Sequence, residues 1–142
     1  MEDIYNLQRF LDAQMSCFER VVRELSAGQK RSYWMWYIFP QVIGLGHSSM
    51  AKRYAIFSKG EAAAYLEHPV LGDRLRQCTR LVNAVEGRGI GQIFGFPNDL
   101  KFHSSVTLFM TCSTGDNPFK EALDKYFDGK PDDATLEILK TI

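Results

Sequence analysis

Tyr5-Asn6-Leu7-Gln8-Arg9-Phe10-Leu11-Asp12-Ala13-Gln14-Met15-Ser16-Cys17-Phe18-Glu19-Arg20-Val21-Val22-Arg23-Glu24-Leu25-Ser26-Ala27-Gly28 is the stretch on which the fold turns. Leu7, Leu11, Phe18, Val21, Val22 and Leu25 recur at helical spacing and make one apolar stripe. Glu19 with Arg23 and Arg20 with Glu24 form i,i+4 pairs on the other side. Gly28 supplies the helix stop. The pattern fits one helix or two with a break. Gln14 lies on the apolar stripe, three after Leu11 and four before Phe18. A buried amide costs about 1–3 kcal/mol unless bonded, so Gln14 is either a structural hydrogen-bonding residue or a ligand contact.

Outward from this stretch the same period returns. Gly44-Leu45-Gly46-His47-Ser48-Ser49-Met50-Ala51-Lys52-Arg53 is a glycine turn running into a helix, with Ser48 as its N-cap. Ser58-Lys59-Gly60-Glu61 is a capping-box sequence for a helix to Leu66. His68-Pro69 starts another, with Pro69 at its first position, the stripe Leu71, Leu75, Cys78, Val82 and Val85, and Gly87 as its end. Ile90-Gly91-Gln92-Ile93-Phe94 fits a short strand or a helical turn. Ser104-Ser105 can cap a helix to Met110, Asn117-Pro118 opens one with Phe119, Leu123, Tyr126 and Phe127 inward, and Pro131-Asp132-Asp133 opens a last one. The expectation is an all-α single domain over residues 1–142, with at most a minor two-strand element.

Composition narrows the function classes. The chain has 142 residues, 45% hydrophobic, with 17 basic and 17 acidic side chains. A chain of this length closes a core without staples. No apolar run approaches the ~18 residues of a membrane span. The start Met1-Glu2-Asp3-Ile4 is not a secretory signal. Cys17, Cys78 and Cys112 are widely spaced, and the three histidines lie on separate segments, so no metal and no cofactor is expected. Reduced thiols point to the cytoplasm. Zero net charge argues against duplex nucleic acid. Charge is nonetheless uneven. No carboxylate lies between Glu24 and Glu61, a stretch carrying Lys30, Arg31, Lys52, Arg53, Lys59 and His47. After Thr114, Asp116, Glu121, Asp124, Asp128, Asp132, Asp133 and Glu137 face four lysines. A local positive region attracts a small anion.

Two segments carry more polar groups than packing requires. In the first, Gly44 and Gly46 let a ligand approach the backbone, free amides at a helix start suit an anion, and His47, Ser48, Ser49 and Lys52 add side-chain donors. The alternative is an ordinary capped turn. The second is Asp99-Leu100-Lys101-Phe102-His103-Ser104-Ser105. If residues 99–103 are extended, Asp99, Lys101 and His103 share a face opposite Leu100 and Phe102. Asp99 and Lys101 are then candidate catalytic groups for proton transfer and charge stabilisation. Ser104 or Ser105 is a candidate nucleophile or ligand contact. The bland alternative is a surface ion pair and a capping serine. The run Ser32-Tyr33-Trp34-Met35-Trp36-Tyr37-Ile38-Phe39-Pro40-Gln41 is core, or else Trp34 or Trp36 is a wall for a flat ligand. His68 is a cap or packing residue.

Several phrases resemble a known family: Arg9-Phe10 with Ala13-Gln14, Trp34-Met35-Trp36 to Phe39-Pro40-Gln41, Gly44-Leu45-Gly46 with Ser48, Tyr65-Leu66 with His68-Pro69, Leu71-Gly72, Arg74-Leu75, Phe94-Gly95, Asp99, Lys101, and Ser104-Ser105 with Thr107-Leu108-Phe109. The chain resembles the bacterial domain-of-unknown-function 1810 family over residues 7–139. The resemblance implies a mostly helical, cytosolic domain and no known activity. The calpastatin label that family sometimes carries does not fit a compact, aromatic-rich domain. Tyr33 and Val106 depart from the family pattern, where His and Met are frequent. A looser similarity links Gly44-Leu45-Gly46-x-Ser48, His68-Pro69-x-Leu71-Gly72 and Asp99-x-Lys101-Phe102 to NADAR-type proteins, which implies ADP-ribose or NAD chemistry. The expected ligand is an anionic small molecule, a phosphate-bearing nucleotide or ADP-ribose-like compound, with hydrolysis or transfer at an N-glycosidic bond as the reaction if the protein is an enzyme. The alternative is a non-catalytic protein–protein interaction module. Everything functional requires residues 44–52 and 99–105 to line one hollow.

Overall fold

Asp3 sets the first helix: its carboxylate accepts the amides of Leu7 and Gln8 at 2.8 and 2.9 Å, taking up two of the free N–H groups at a helix start. In the computed structural model, which describes residues 2–115 and 117–142, helix α1 then spans Gln8–Met15 and α2 spans Phe18–Ser26. The opening stretch is therefore two helices, broken at Ser16 and Cys17. Gly28, at φ +77°, closes α2, with the amides of Gly28 and Gln29 returning to Leu25 and Glu24. Met1 and Asp116, named above for the start of the chain and for its acidic end, lie outside the described residues.

The aromatic run folds as a single turn, α3 (Met35–Ile38), and Pro40 ends it. Residues 41–43 then pair with Ile56: Ile43 donates to the Ile56 carbonyl and Ile56 to that of Gln41, both at 2.9 Å, making one isolated parallel bridge from Val42 to Ile56. This is all the strand pairing there is among the described residues. Inside the loop it closes lies α4 (Ser49–Arg53), capped by Ser48, whose hydroxyl accepts the Ala51 amide at 3.1 Å. Helices α5 (Lys59–Glu67) and α6 (Leu71–Asn83) follow. Ser58 caps α5, but Glu61 turns to the Phe57 amide and to Arg9. His68 Nδ1 accepts the amides of Val70 and Leu71, so α6 begins two residues after Pro69. The chain ends with α7 (Ile90–Phe94), α8 (Asn98–Met110), α9 (Pro118–Tyr126) and α10 (Asp133–Leu139).

The architecture is all-α, ten helices among the described residues, with α8 in the middle. It packs on α5, α7, α9 and α10, while α6 packs on α2, α5 and α9. Phe39 anchors the core, its ring 5.8 Å from Phe94 and 5.1 Å from Phe102, both edge-on, with Phe94 and Phe102 stacked at 4.9 Å. Residues 99–103 are helical, not extended. The Leu100/Phe102 alternation misled, because Leu100 faces solvent while Phe102, Val106 and Phe109 form a buried stripe at 3.6-residue spacing.

Candidate functional site

Helix α8 decides what the polar segments can do. Each residue turns about 100° around the axis, so Lys101 lies about 200° from Asp99, whereas His103 returns to the side of Asp99. The expected face of Asp99, Lys101 and His103 does not exist. Asp99 lies in the first turn of its own helix, its carboxylate accepting the Leu100 amide at 2.9 Å. His103 stacks on Phe127 at 4.0 Å and its Nε2 meets the Lys130 carbonyl at 2.8 Å. Ser104 Oγ donates to the Leu100 carbonyl and to Asp132, the residue that caps α10, and Thr107 Oγ1 accepts the Asp132 amide. His103 and Ser104 therefore fasten the C-terminal helices, and with Asp99 they stand away from Lys101. Ser105 is fully buried and its hydroxyl has no partner among the described residues.

Lys101 points the other way, toward α3. Its ammonium lies 5.4 Å from the centre of the Trp36 ring. Trp36 is half-buried, and its indole Nε1 is buried with no hydrogen-bond acceptor among the described residues. These two side chains share one hollow with Gly44, Gly46, Ala51 and Tyr54. The glycine turn and α8 thus meet, as the two-segment reading requires, through Gly44 and Gly46 on one side and Lys101 on the other. Gly46 is needed for that approach: a Cβ there would come within 2.5 Å of the Ala51 methyl. Gly44 has φ +103°. The hollow is small. The space open to water-sized molecules is about 10 Å³, room for one water. Among the described residues no carboxylate lines it; its polar side chains are Lys101, Trp36, Gln41 and Tyr54.

The other members of the first segment stay outside. His47, Ser48, Ser49 and Lys52 are exposed and do not line the hollow, and the Ser48 hydroxyl is engaged as a cap. Trp34 is not a wall for a flat ligand. It is fully buried, tilted against Phe39 at 6.2 Å, and its Nε1 donates to Glu24 at 3.0 Å. Gln14 is structural: its amide donates to the Tyr37 carbonyl and the Tyr65 hydroxyl and accepts from Arg74. Burial is the main cause that pushes the Tyr65 hydroxyl well above its ordinary pKa and the Cys78 thiol up to about 12. Cys78 is an inert core thiol.

Three polar groups escaped the sequence reading. Glu24 is buried and accepts from the amides of Arg31 and Ser32, the Ser32 hydroxyl and the Trp34 indole. Arg9 donates to the carbonyls of Tyr5, Asn6, Arg53 and Ala55 and pairs with Glu61 at 2.7 Å. Lys30 lies 5.3 Å from the Trp34 ring and 5.9 Å from that of Tyr33. Lys30 sits in the carboxylate-free stretch, but no spacing shows that its loop folds back to bond Ile93 on α7. Among the described residues no group of His, Cys, Asp or Glu could hold a metal ion.

A family model described as "Protein of unknown function (DUF1810)" matches residues 4–139. Among solved structures, that of the conserved hypothetical protein Rv1873 from Mycobacterium tuberculosis is similar, with 49% identity over 97% of this chain and 99% of that one and a TM-score of 0.95. No curated protein matches. These comparisons do not carry the looser similarity to NADAR-type proteins. No helix among the described residues is long and apolar enough to cross a membrane.

Proposed function

The chain belongs to the family of proteins of unknown function called DUF1810, and on that footing we propose that it binds a phosphate-bearing, nucleotide-like small molecule by an anionic group seated against Trp36, Lys101 and the 44–46 turn. One observation carries the reading. Trp36, whose indole N–H is buried without an acceptor, and Lys101, whose ammonium is in no ion pair, border the same hollow, and among the described residues no carboxylate does. A buried donor without a partner costs about 1–3 kcal/mol, and an oxyanion removes that cost. The size of the hollow limits what enters to one oxygen or so of the anionic group. The remainder of the ligand lies on the surface outside. The reading is one of binding. Cleavage of an N-glycosidic bond by Asp99 with Lys101 is not part of it, because the two side chains leave α8 on opposite sides.

The test is isothermal titration with AMP, ADP, ADP-ribose and NAD. The expected result is binding of at least one, and at least ten-fold weaker binding by Lys101→Met at unchanged melting temperature, about 1.4 kcal/mol. No heat with any of the four, from a folded sample, overturns the proposal. A protein-docking role is favoured by one feature: Tyr33, Phe96 and Leu100 are 84%, 80% and 55% exposed. It becomes the better reading if those titrations are silent and Phe96→Ser abolishes a self-association seen by sedimentation.

A further inference from the structure

Lys59, Thr111, Cys112, Leu136, Leu139 and Lys140 line a groove that shares no residue with the Trp36 hollow. Three elements meet there: the start of α5, the end of α8 and the end of α10. The space open to water-sized molecules is about 400 Å³, against about 10 Å³ at the Trp36 hollow. Small-molecule sites usually enclose roughly 300–1,000 Å³. Leu136 is half-buried and Leu139 buried, so the floor is aliphatic. The Thr111 hydroxyl turns back to the Leu108 carbonyl at 2.6 Å. Burial is the main cause that pushes the Cys112 thiol above its ordinary pKa, so Cys112 is a wall and not a nucleophile. Charge comes from Lys59 and Lys140 alone; among the described residues no carboxylate lines the groove.

Helix capping does not explain the two lysines. A lysine near a helix C-terminus often hydrogen-bonds its last carbonyls. At the end of α8 those carbonyls are already taken: Thr107 by the Thr111 amide, Leu108 by the Thr111 hydroxyl, Phe109 by the Cys112 amide and the Ser113 hydroxyl, and Met110 by the Ser113 amide. On α10 the Ile138 carbonyl is taken by Thr141. Lys59 occupies the first position of α5, the end at which the helix dipole disfavours a cation. It is in no ion pair among the described residues. Lys140 pairs with Glu137 on the surface, both side chains being more than 70% exposed, and such a pair holds its charges weakly.

Two cations over an aliphatic floor call for an anion that brings its own apolar surface. An inorganic anion leaves the leucines in water, and a neutral hydrocarbon leaves the lysines unanswered. A nucleotide lays hydroxyls and ring nitrogens over Leu136 and Leu139, where no protein group answers them. We propose that the groove is a second ligand site, independent of the Trp36 hollow, and that it takes a medium-chain carboxylate, its chain on Leu136 and Leu139 and its head on Lys59 and Lys140.

The experiment is isothermal titration of the intact chain with octanoate, acetate, 1-octanol and octylamine. Octanoate is expected to bind at least about ten-fold more tightly than each of the others: acetate lacks the chain, octanol lacks the charge, and octylammonium carries the wrong sign. The double variant Lys59→Met with Lys140→Met should lose at least about ten-fold in octanoate affinity, and Lys59→Arg with Lys140→Arg should keep it. Both lysines are exposed, so the melting temperature should not move. A readout on the wild type places the ligand without any variant. Octanoate should slow the alkylation of Cys112 by iodoacetamide several-fold, Cys17 and Cys78 being buried. Equal affinity for octanoate and octylamine means adsorption to apolar surface only. Unchanged octanoate affinity in the methionine variant, or Cys112 alkylated at one rate with and without octanoate, puts the ligand elsewhere. Any of these results, or no heat with octanoate, overturns the proposal.

Discussion

Glu24 shows what a single side chain does here. Burial, the largest influence on its carboxyl, works to raise the pKa, but the Ser32 hydroxyl, the Arg31 and Ser32 amides and the Trp34 indole together hold it down at about 2. A carboxyl depressed from its ordinary 4.5 contributes stability that is complete above that value and is lost as pH falls toward 2. Glu24→Gln is expected to destabilise by about 2–3 kcal/mol at pH 7, because an amide cannot accept all four bonds. It should also flatten the fall in melting temperature between pH 4.5 and 2, which a melting series on both proteins measures. At this scale the sequence is only partly legible. Trp34 and Trp36 are equivalent as text; one caps a buried carboxylate and the other lines the hollow, a difference made by the loop that carries Lys30. Gln14 shows itself as polar on an apolar stripe, and its partners, Tyr37, Tyr65 and Arg74, come from three other places in the chain.

Between elements, the Arg9 guanidinium joins α1 to the segment after α4 and to α5. It satisfies the carbonyls of Arg53 and Ala55 and pairs with the buried Glu61. Arg9→Met leaves that carboxylate unpaired, and such a change costs about 3–5 kcal/mol. Chemical denaturation should show that loss, and the double variant Arg9→Met with Glu61→Gln should recover part of it. The helices with caps and stripes were legible, as at Ser48, Ser58, Asn117 and Asp132, whose side chains accept the expected amides. Helix α8 was not. Its first turn alternates Leu100 and Phe102 like a strand, its overall amphipathicity is weak because Ser104, Ser105 and Thr107 are buried, and only Phe102, Val106 and Phe109 together reveal the period. That one misreading moved Asp99 from beside Lys101 to the opposite side.

Across the whole molecule, α8 divides two tasks. One side presents Lys101 to the hollow; the other holds the C-terminal helices through Ser104, Thr107, His103 and Asp132. Asp132→Ala removes acceptors for Ser104, the Thr135 amide and the Thr135 hydroxyl. A loss of about 1–3 kcal/mol is expected. Phosphate affinity of the folded fraction should be unchanged, and titration beside a melting curve separates the two effects. The meeting of the glycine turn with α8 was legible only as a requirement, since residues some fifty positions apart are joined by packing that no local pattern records. The hollow also bears on selectivity. Space for a single water cannot distinguish one oxyanion from another, or either from chloride, since each offers one acceptor of similar radius to the Trp36 N–H and Lys101. Ordinary halide salts will therefore compete for this position. What the protein prefers is decided by the rest of the ligand, outside, against rings and charges that solvent already reaches.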